Sequence, residues 1–92
     1  MIERTATIGS RVGLHARPAA IFAEAASEYD FEITIAREGE PADDAGDASS
    51  ILTLMGLGAE NGEAVVLRSE DAGAAEALEA LAAVLETDHD AS

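Results

Sequence analysis

The sequence predicts a single α+β domain, and three observations point to this fold class. The chain has 92 residues, which is enough for one hydrophobic core and not for two. Segments in which apolar and polar residues alternate, as in strands, are interleaved with segments whose apolar residues recur at helical spacing. Turn residues separate these segments. The predicted order is β-α-β-(β)-α-β-α, with the third strand in doubt, and we expect the domain to cover residues 1–86.

The first half of the chain is expected to contain a strand, a helix and a second strand. Residues 2–8 alternate, and Arg4 is an imperfection on the side that should face the core. Residues 9–14 form a loop, and a helix follows over residues 16–28. The helical residues that should face the core are Ala19, Phe22, Ala23 and Ala26. Residues 31–35 alternate again and predict the second strand.

A short second helix is predicted over residues 51–55. Ser49 or Ser50 supplies the hydroxyl that caps its first turn. Gly56 and Gly58 follow its last apolar residue and should end it.

The last strand and the last helix complete the predicted domain. The pair Asn61-Gly62 indicates a turn, and residues 63–68 read as the strand that follows it. A longer helix is predicted over residues 72–85. Its apolar stripe consists of Ala74, Leu78, Leu81 and Leu85. Residues 87–92 are expected to form a disordered polar tail.

The charge of the chain excludes several classes of partner. Nineteen acidic residues stand against five arginines and no lysine, for a formal net charge of −14. Such a surface repels nucleic acid and anionic lipid, so we expect neither as a partner. The acids are spread along periodic segments, which argues against a disordered acidic tail. In molar salt the Debye length falls to about 3 Å and self-repulsion is screened, so the composition favours a halophile.

The composition also limits the core and the chemistry. Hydrophobic residues make up 48% of the chain, but 21 residues are alanine, so few large side chains are available for the core. Without cysteine there is no disulfide, thiol chemistry or thiolate metal site. No apolar run approaches the roughly 18 residues of a membrane helix, and the first residues do not resemble a signal peptide. We therefore expect a cytoplasmic protein.

The segment Gly13-Leu14-His15-Ala16-Arg17-Pro18-Ala19 is the candidate functional site. Gly13 permits a turn that a side chain would hinder, and Pro18 fits the first turn of a helix. His15 is thereby placed at the N-terminus of the first helix, where backbone amides and the helix dipole favour an anion. Arg17 adds a positive charge two residues further on. These groups together could hold a phosphoryl group.

This segment resembles the active-site motif of HPr, the histidine phosphocarrier family of the phosphoenolpyruvate-dependent sugar phosphotransferase system. Five informative positions match, namely Gly13, His15, Ala16, Arg17 and Pro18, and the likeness continues through residues 51–58 into the last helix. The resemblance implies an open-faced β-sandwich, a four-stranded antiparallel sheet covered on one face by three helices. Family members carry a short strand near residues 42–48, where this chain has few strand formers. We expect a degraded edge strand or an acidic loop there.

The resemblance also implies a function. A phosphoryl group would pass from phospho-enzyme I to His15 and then to an enzyme IIA domain, so the chain would be a carrier and not an enzyme. Arg17 would assist His15, and the helix N-terminus at Ala16, Arg17 and Pro18 would stabilise the phosphoryl group. The family's docking positions correspond to Ala16, Ala20, Leu52 and Met55. We expect Leu52 and Met55 to be exposed, with Ile51 and Leu54 facing the core.

Several alternatives remain open at this point. The carrier could serve dihydroxyacetone phosphorylation, or the chain could be a regulatory binding module or an acidic domain without chemistry. Ser50 aligns with the serine that some bacterial members phosphorylate for regulation, although a capping role also explains it. His89 lies in the tail and has no assigned role, and we expect no metal and no cofactor. We expect a monomer.

Overall fold

The structure is a computed structural model that describes residues 1–11 and 13–87. The polar tail predicted for residues 87–92 lies outside the described residues except for Thr87, and His89 lies outside them as well. Among the described residues, no helix combines the length and the hydrophobicity that crossing a membrane requires.

The described residues form four strands and three α-helices in the predicted order. The elements are β1 (Ile2–Thr7), α1 (Ala16–Ser27), β2 (Thr34–Arg37), β3 (Gly46–Asp47), α2 (Ile51–Gly56), β4 (Ala64–Ser69) and α3 (Ala74–Glu86), with a 3-10 turn at Ala42–Asp44 before β3. The predicted α+β class is confirmed.

The four strands make one antiparallel sheet in the order β1-β4-β2-β3. β1 pairs with β4 over its whole length, from Ile2 opposite Ser69 to Thr7 opposite Ala64. The loop that follows β1 and the turn that precedes β4 therefore meet at the same end of the sheet. The ladder is prolonged there by a bond from the Ile8 amide to the Glu63 carbonyl (2.9 Å).

One face of the sheet and the inner sides of the helices form the core. Ala6, Ile35, Val65 and Leu67 supply buried positions on the sheet. Every residue of α1 and α3 that was predicted to face inward is buried: Ala19, Phe22, Ala23 and Ala26 on α1, and Ala74, Leu78, Leu81 and Leu85 on α3. The helical periodicity therefore predicts the buried sides of the two longer helices correctly.

The second strand begins later than predicted. The alternating pattern predicts a strand over residues 31–35, whereas β2 spans Thr34–Arg37. Its pairing with β4 starts at Thr34 opposite Arg68. One residue further along β4, the Ser69 hydroxyl donates to the Glu32 carbonyl (2.8 Å), so a side chain replaces the backbone ladder at this point.

Residues 42–48 contain a short edge strand, which is one of the two structures expected there, the other being an acidic loop. β3 has two residues, and Thr34 and Ile35 of β2 face them. The Asp47 carboxylate accepts hydrogen bonds from the backbone amide (2.9 Å) and the hydroxyl (2.7 Å) of Ser49. This local bonding carries the chain from the edge strand towards α2.

α2 begins at Ile51, as predicted, and ends one residue later than predicted. Ser50 is the N-cap, and its hydroxyl accepts from the Thr53 amide (3.3 Å). Gly56, expected to end the helix, is its last residue, and Gly58 with φ +63° follows the end. The expectation that Ile51 faces the core is wrong, because Ile51 is 42% exposed and Leu54 is the buried residue of this helix. A helix of under two turns presents too narrow a side to bury both residues.

Arg4, Arg37 and Arg68 form ion pairs that tie separate elements together. Arg4 bonds through Nε to Glu79 Oε2 of α3 (2.9 Å), which accounts for a charge on the inner side of β1. The hydrogen bond and the charge of Arg4 lower the pKa of Glu79. Arg68 pairs with a glutamate of β1 across the sheet (2.6 Å), and Arg37 pairs with a glutamate before β4 (2.5 Å).

Candidate functional site

His15 is the N-cap residue of α1. Its backbone is extended (φ −91°, ψ −169°), and its carbonyl accepts the first bond of the helix, from the Ala19 amide at 2.9 Å. The side chain is half-buried. The imidazole therefore belongs to the residue that joins the loop to the N-terminal end of α1, where helix amides and the helix dipole favour negative charge.

The two residues before His15 are fixed against the turn that precedes β4. Gly13 has φ +82°, and a Cβ atom added there would lie 2.9 Å from the Ala59 carbonyl oxygen. The Leu14 amide donates to that same oxygen (2.9 Å), and the Leu14 side chain is buried. Only glycine fits position 13 without strain, as the sequence indicates.

Arg17 differs from the arginines that hold the fold together. Arg4, Arg37 and Arg68 each pair with glutamate, whereas Arg17 is exposed and makes no ion pair within the part of the chain that the structure describes. Its guanidinium is therefore available to an added anion. Pro18 is buried in the first turn, where its missing amide hydrogen leaves no gap in the helix bonding.

The site contains groups suited to holding a phosphoryl group. His15 supplies ring nitrogens, and Ala16 and Arg17 supply amides of the first turn that have no partner within a helix. Among the described residues, no group of three or more histidine, cysteine, aspartate or glutamate side chains could hold a metal ion. The chemistry that this arrangement offers is therefore nucleophilic attack by an imidazole beside an anion site.

Exposed apolar side chains lie on α1 and α2, which pack against each other. Leu52 is 84% exposed and Met55 is 45% exposed, as predicted, and Ala16 and Ala20 are exposed as well. Two further exposed side chains escaped the sequence reasoning, Ile21 of α1 and Ile51 of α2. Ile21 lies four residues after Arg17, and that spacing could have placed it on the same side of α1. The apolar patch is Ala16, Ala20, Ile21, Ile51, Leu52 and Met55.

Ser50 lies at the start of this patch and is half-buried. Its hydroxyl oxygen caps α2 through the Thr53 amide. The capping role that the sequence predicts for Ser49 or Ser50 thus falls to Ser50, while the Ser49 hydroxyl donates to Asp47.

Comparison with known proteins assigns the chain to a family. Residues 2–87 match the family described as "PTS HPr component phosphorylation site". The phosphocarrier protein HPr of Streptomyces coelicolor is 47% identical over 83 residues, covering 89% of this chain and 85% of its own. HPr of Haloferax volcanii is 42% identical, covering 94% of both chains.

The fold agrees with the same family. The crystal structure of HPr from Bacillus anthracis superposes with a TM-score of 0.79 at 33% identity, covering 91% of this chain and 95% of the other. The sheet and its three helices are common to both. The chain therefore belongs to the HPr family of the phosphotransferase system, and it is a phosphocarrier protein.

Proposed function

We propose that His15 carries the phosphoryl group, that phospho-enzyme I donates it and that enzyme IIA domains accept it. The observation that carries this proposal is the position of His15 at the N-cap of α1, within the family's motif. Arg17, which pairs with no described carboxylate, supports the same assignment. The cytoplasmic location and the monomeric state stay predictions.

The transfer exchanges one bond to phosphorus for another. A lone pair of a ring nitrogen of His15 attacks the phosphorus atom, and the bond between phosphorus and the donor breaks with its electron pair on the donor. The resemblance implies that Nδ1 is the attacking nitrogen. The reverse exchange with an acceptor regenerates the neutral ring, so the carrier is unchanged after each cycle.

The N-terminus of α1 would stabilise the bound group without holding it permanently. The amides of Ala16 and Arg17 and the guanidinium of Arg17 can donate to phosphoryl oxygens, while the buried Pro18 fixes the turn that carries them. The helix end and Arg17 are open to solvent, which weakens these charge interactions compared with a closed site. A carrier needs this balance, because tight retention would prevent onward transfer.

Docking would depend on the apolar patch. The chain carries a net charge of −14, and in molar salt long-range attraction to a partner is screened. Leu52, which projects almost fully into solvent, and the adaptable Met55 then offer the largest gain from contact with a partner. A surface of this kind suits a carrier that binds a donor and an acceptor in turn.

Regulatory phosphorylation of Ser50 stays a prediction. The capping of α2 by its hydroxyl is enough to explain why a serine stands there. A phosphate there would lie at the N-terminus of α2 and would add negative charge beside Ile51 and Leu52. Mass spectra of the native protein, grown on several carbon sources, test for it.

The central test is incubation with enzyme I and phosphoenolpyruvate in molar salt. We expect an increase in mass of one phosphate that is acid-labile and is absent from His15→Ala. Arg17→Ala should be phosphorylated more slowly, because the charge beside the phosphoryl group is lost. No phosphorylation of the wild-type chain would favour a regulatory binding module, and a normal mass increase in His15→Ala would exclude His15 as the carrier.

A second arm identifies the acceptor. The phosphorylated chain is mixed either with an enzyme IIA domain or with a dihydroxyacetone-phosphorylating acceptor, and loss of its phosphate is followed by mass. Transfer to the enzyme IIA domain is the expected result. Leu52→Asp should slow that transfer, because it places a charge in the apolar patch, whereas spontaneous hydrolysis of the phosphate should be unchanged.

A further inference from the structure

The loop that leads to His15 is held at both ends by one turn. This loop, here called the His15 loop, consists of residues 9–11 and 13–15 among those described. This turn lies between α2 and β4 and consists of residues 59–62. At the start of the loop, the amide of its last residue, Gly62, donates to the Ile8 carbonyl (2.9 Å). At the other end of the loop, the Leu14 amide donates to the Ala59 carbonyl (2.9 Å).

A side chain of the same turn reaches the beginning of the loop. Asn61 Nδ2 lies 3.3 Å from the carbonyl oxygen of Gly9 and 3.5 Å from that of Ile8. The Ile8 carbonyl already accepts from the backbone of the turn, so the contact with Gly9 is the one that the Asn61 amide adds. Both distances are at the long end for a hydrogen bond, so the effect of this contact should be modest.

Gly9 is fixed from its other side by the end of α3. Its amide donates to the Leu85 carbonyl (2.9 Å), and a Cβ atom added to it would lie only 1.9 Å from the Glu86 carbonyl oxygen. The amide of Gly9 is thus held by α3, and its carbonyl is in contact with Asn61. The Gly9 carbonyl is therefore the point at which Asn61 reaches the loop that presents the imidazole.

We propose that Asn61 is a positioning residue for phosphoryl transfer, acting on His15 through the Gly9 carbonyl and the loop backbone. This inference rests on the proposed role of His15. Asn61 is exposed and lies outside the apolar patch. Its proposed effect is therefore on the position of the imidazole and not on the affinity for a partner. Its removal should therefore lower the maximal rate of transfer and leave the half-saturating concentration of enzyme I unchanged.

The substitution can be made without disturbing the turn. Asn61 and Gly62 are the central residues of a turn closed by the Glu63 amide and the Glu60 carbonyl (3.0 Å). Gly62, with φ +86°, carries the unusual backbone conformation, and Asn61 does not have positive φ. Alanine, glutamine and aspartate are therefore all compatible with the backbone at position 61.

The experiment measures single-turnover phosphorylation of Asn61→Ala, Asn61→Gln and Asn61→Asp against the concentration of phospho-enzyme I. We expect a two- to tenfold loss of maximal rate in Asn61→Ala, roughly what one net hydrogen bond supplies. Glutamine keeps the donor and should restore part of the rate, whereas the carboxylate of Asn61→Asp cannot donate and should not. Glu60→Gln is the matched control, because its carboxylate makes no bond to any described residue, and it should match the wild type.

A second measurement does not depend on transfer. Hydrogen exchange of the Leu14 amide should be faster in Asn61→Ala than in Glu60→Gln, since the bond to Ala59 closes the same loop. Equal maximal rates and equal exchange in the two variants would overturn the proposal, as would a loss confined to the half-saturating concentration. If the wild-type chain is not phosphorylated at all, the proposed function fails, and Leu14 exchange alone decides whether Asn61 holds the loop.

Discussion

The His15 loop and α2 are attached to the rest of the fold in opposite ways. The loop contains no regular secondary structure among its described residues, yet backbone bonds from Gly9 and Leu14 attach it to α3 and to the turn before β4. α2 is a regular helix, yet Leu54 is the only residue of its six that is buried. Regular secondary structure and a fixed position are therefore separate properties.

The difference matches what each region has to do. A nucleophile must meet phosphorus at a defined distance, so the proposed role of His15 requires a fixed backbone. A patch with the proposed role of binding different partners benefits from adaptable side chains, and Met55 is one. α2 retains its position through a side-chain cap at Ser50 and through one buried leucine, which leaves the remaining residues free to form contacts.

The largest effect is expected from truncating the single buried residue of α2. Leu54→Ala should lower the free energy of unfolding by about 2–5 kcal/mol, because it opens a cavity where α2 meets the core. Leu52→Ala, at a side chain that is 84% exposed, should change it by less than about 0.5 kcal/mol. Urea denaturation in molar salt measures both. A loss below about 1 kcal/mol for Leu54→Ala would mean that other contacts hold α2.

An intermediate effect, with opposite signs in the two regions, is expected from glycine-to-alanine changes. Gly9→Ala should destabilise the chain by about 1–3 kcal/mol, because the added Cβ collides with the Glu86 backbone. Gly56→Ala, the same change in α2, meets no atom within 4 Å and should stabilise the chain by about 0.5 kcal/mol. Thermal unfolding of both variants gives the comparison. Similar shifts of the same sign would remove the distinction between the loop and the helix.

The smallest effect is expected from acid. Hydrogen bonds from the backbone amide and the hydroxyl of Ser49 lower the pKa of Asp47, just before α2. The ionised form is favoured in the folded chain, so this contribution to stability is present above the ordinary range of an aspartate and is lost as the pH falls through the lowered pKa. Asp47 is exposed, so the contribution is small.

Urea midpoints measured from neutral pH down to about pH 3 check this sign. Asp47→Asn should lose less stability over that range than the wild type. Asp43→Asn is the charge-matched control, since the Asp43 side chain makes no hydrogen bond with a described residue. An identical acid response in the two variants would show that the Ser49 bonds contribute nothing to the stability of this segment.

Local patterns predicted those features whose causes are local. The stripe of α3 follows from helical spacing alone, and Gly13 follows from the backbone that a loop before a helix needs. The exposure of Leu52 was predicted from its place on a short helix. The same reasoning failed for Ile51, because burial on so short a helix depends on the neighbour it packs against, which periodicity does not contain.

Contacts between distant segments could not be predicted from the sequence, because local periodicity does not contain them either. Arg4 is an imperfection in an alternating pattern until Glu79, 75 positions later, is brought beside it. Asn61 reads only as a turn residue, and its contact with Gly9 spans 52 positions. The first contact depends on how α3 packs against β1, and the second on how the turn before β4 meets the loop after β1, and no local segment specifies either.

The attachment of Gly9 to Leu85 has a consequence for biosynthesis. A chain emerging from the ribosome has made the whole phosphorylation motif after about one fifth of its length, but the bonds that place His15 come from residues 59–63 and 85. With the proposed role of His15, we therefore expect phosphate uptake only when synthesis is nearly complete. We expect unfinished or C-terminally clipped chains, which carry the motif without these bonds, to accept little phosphate.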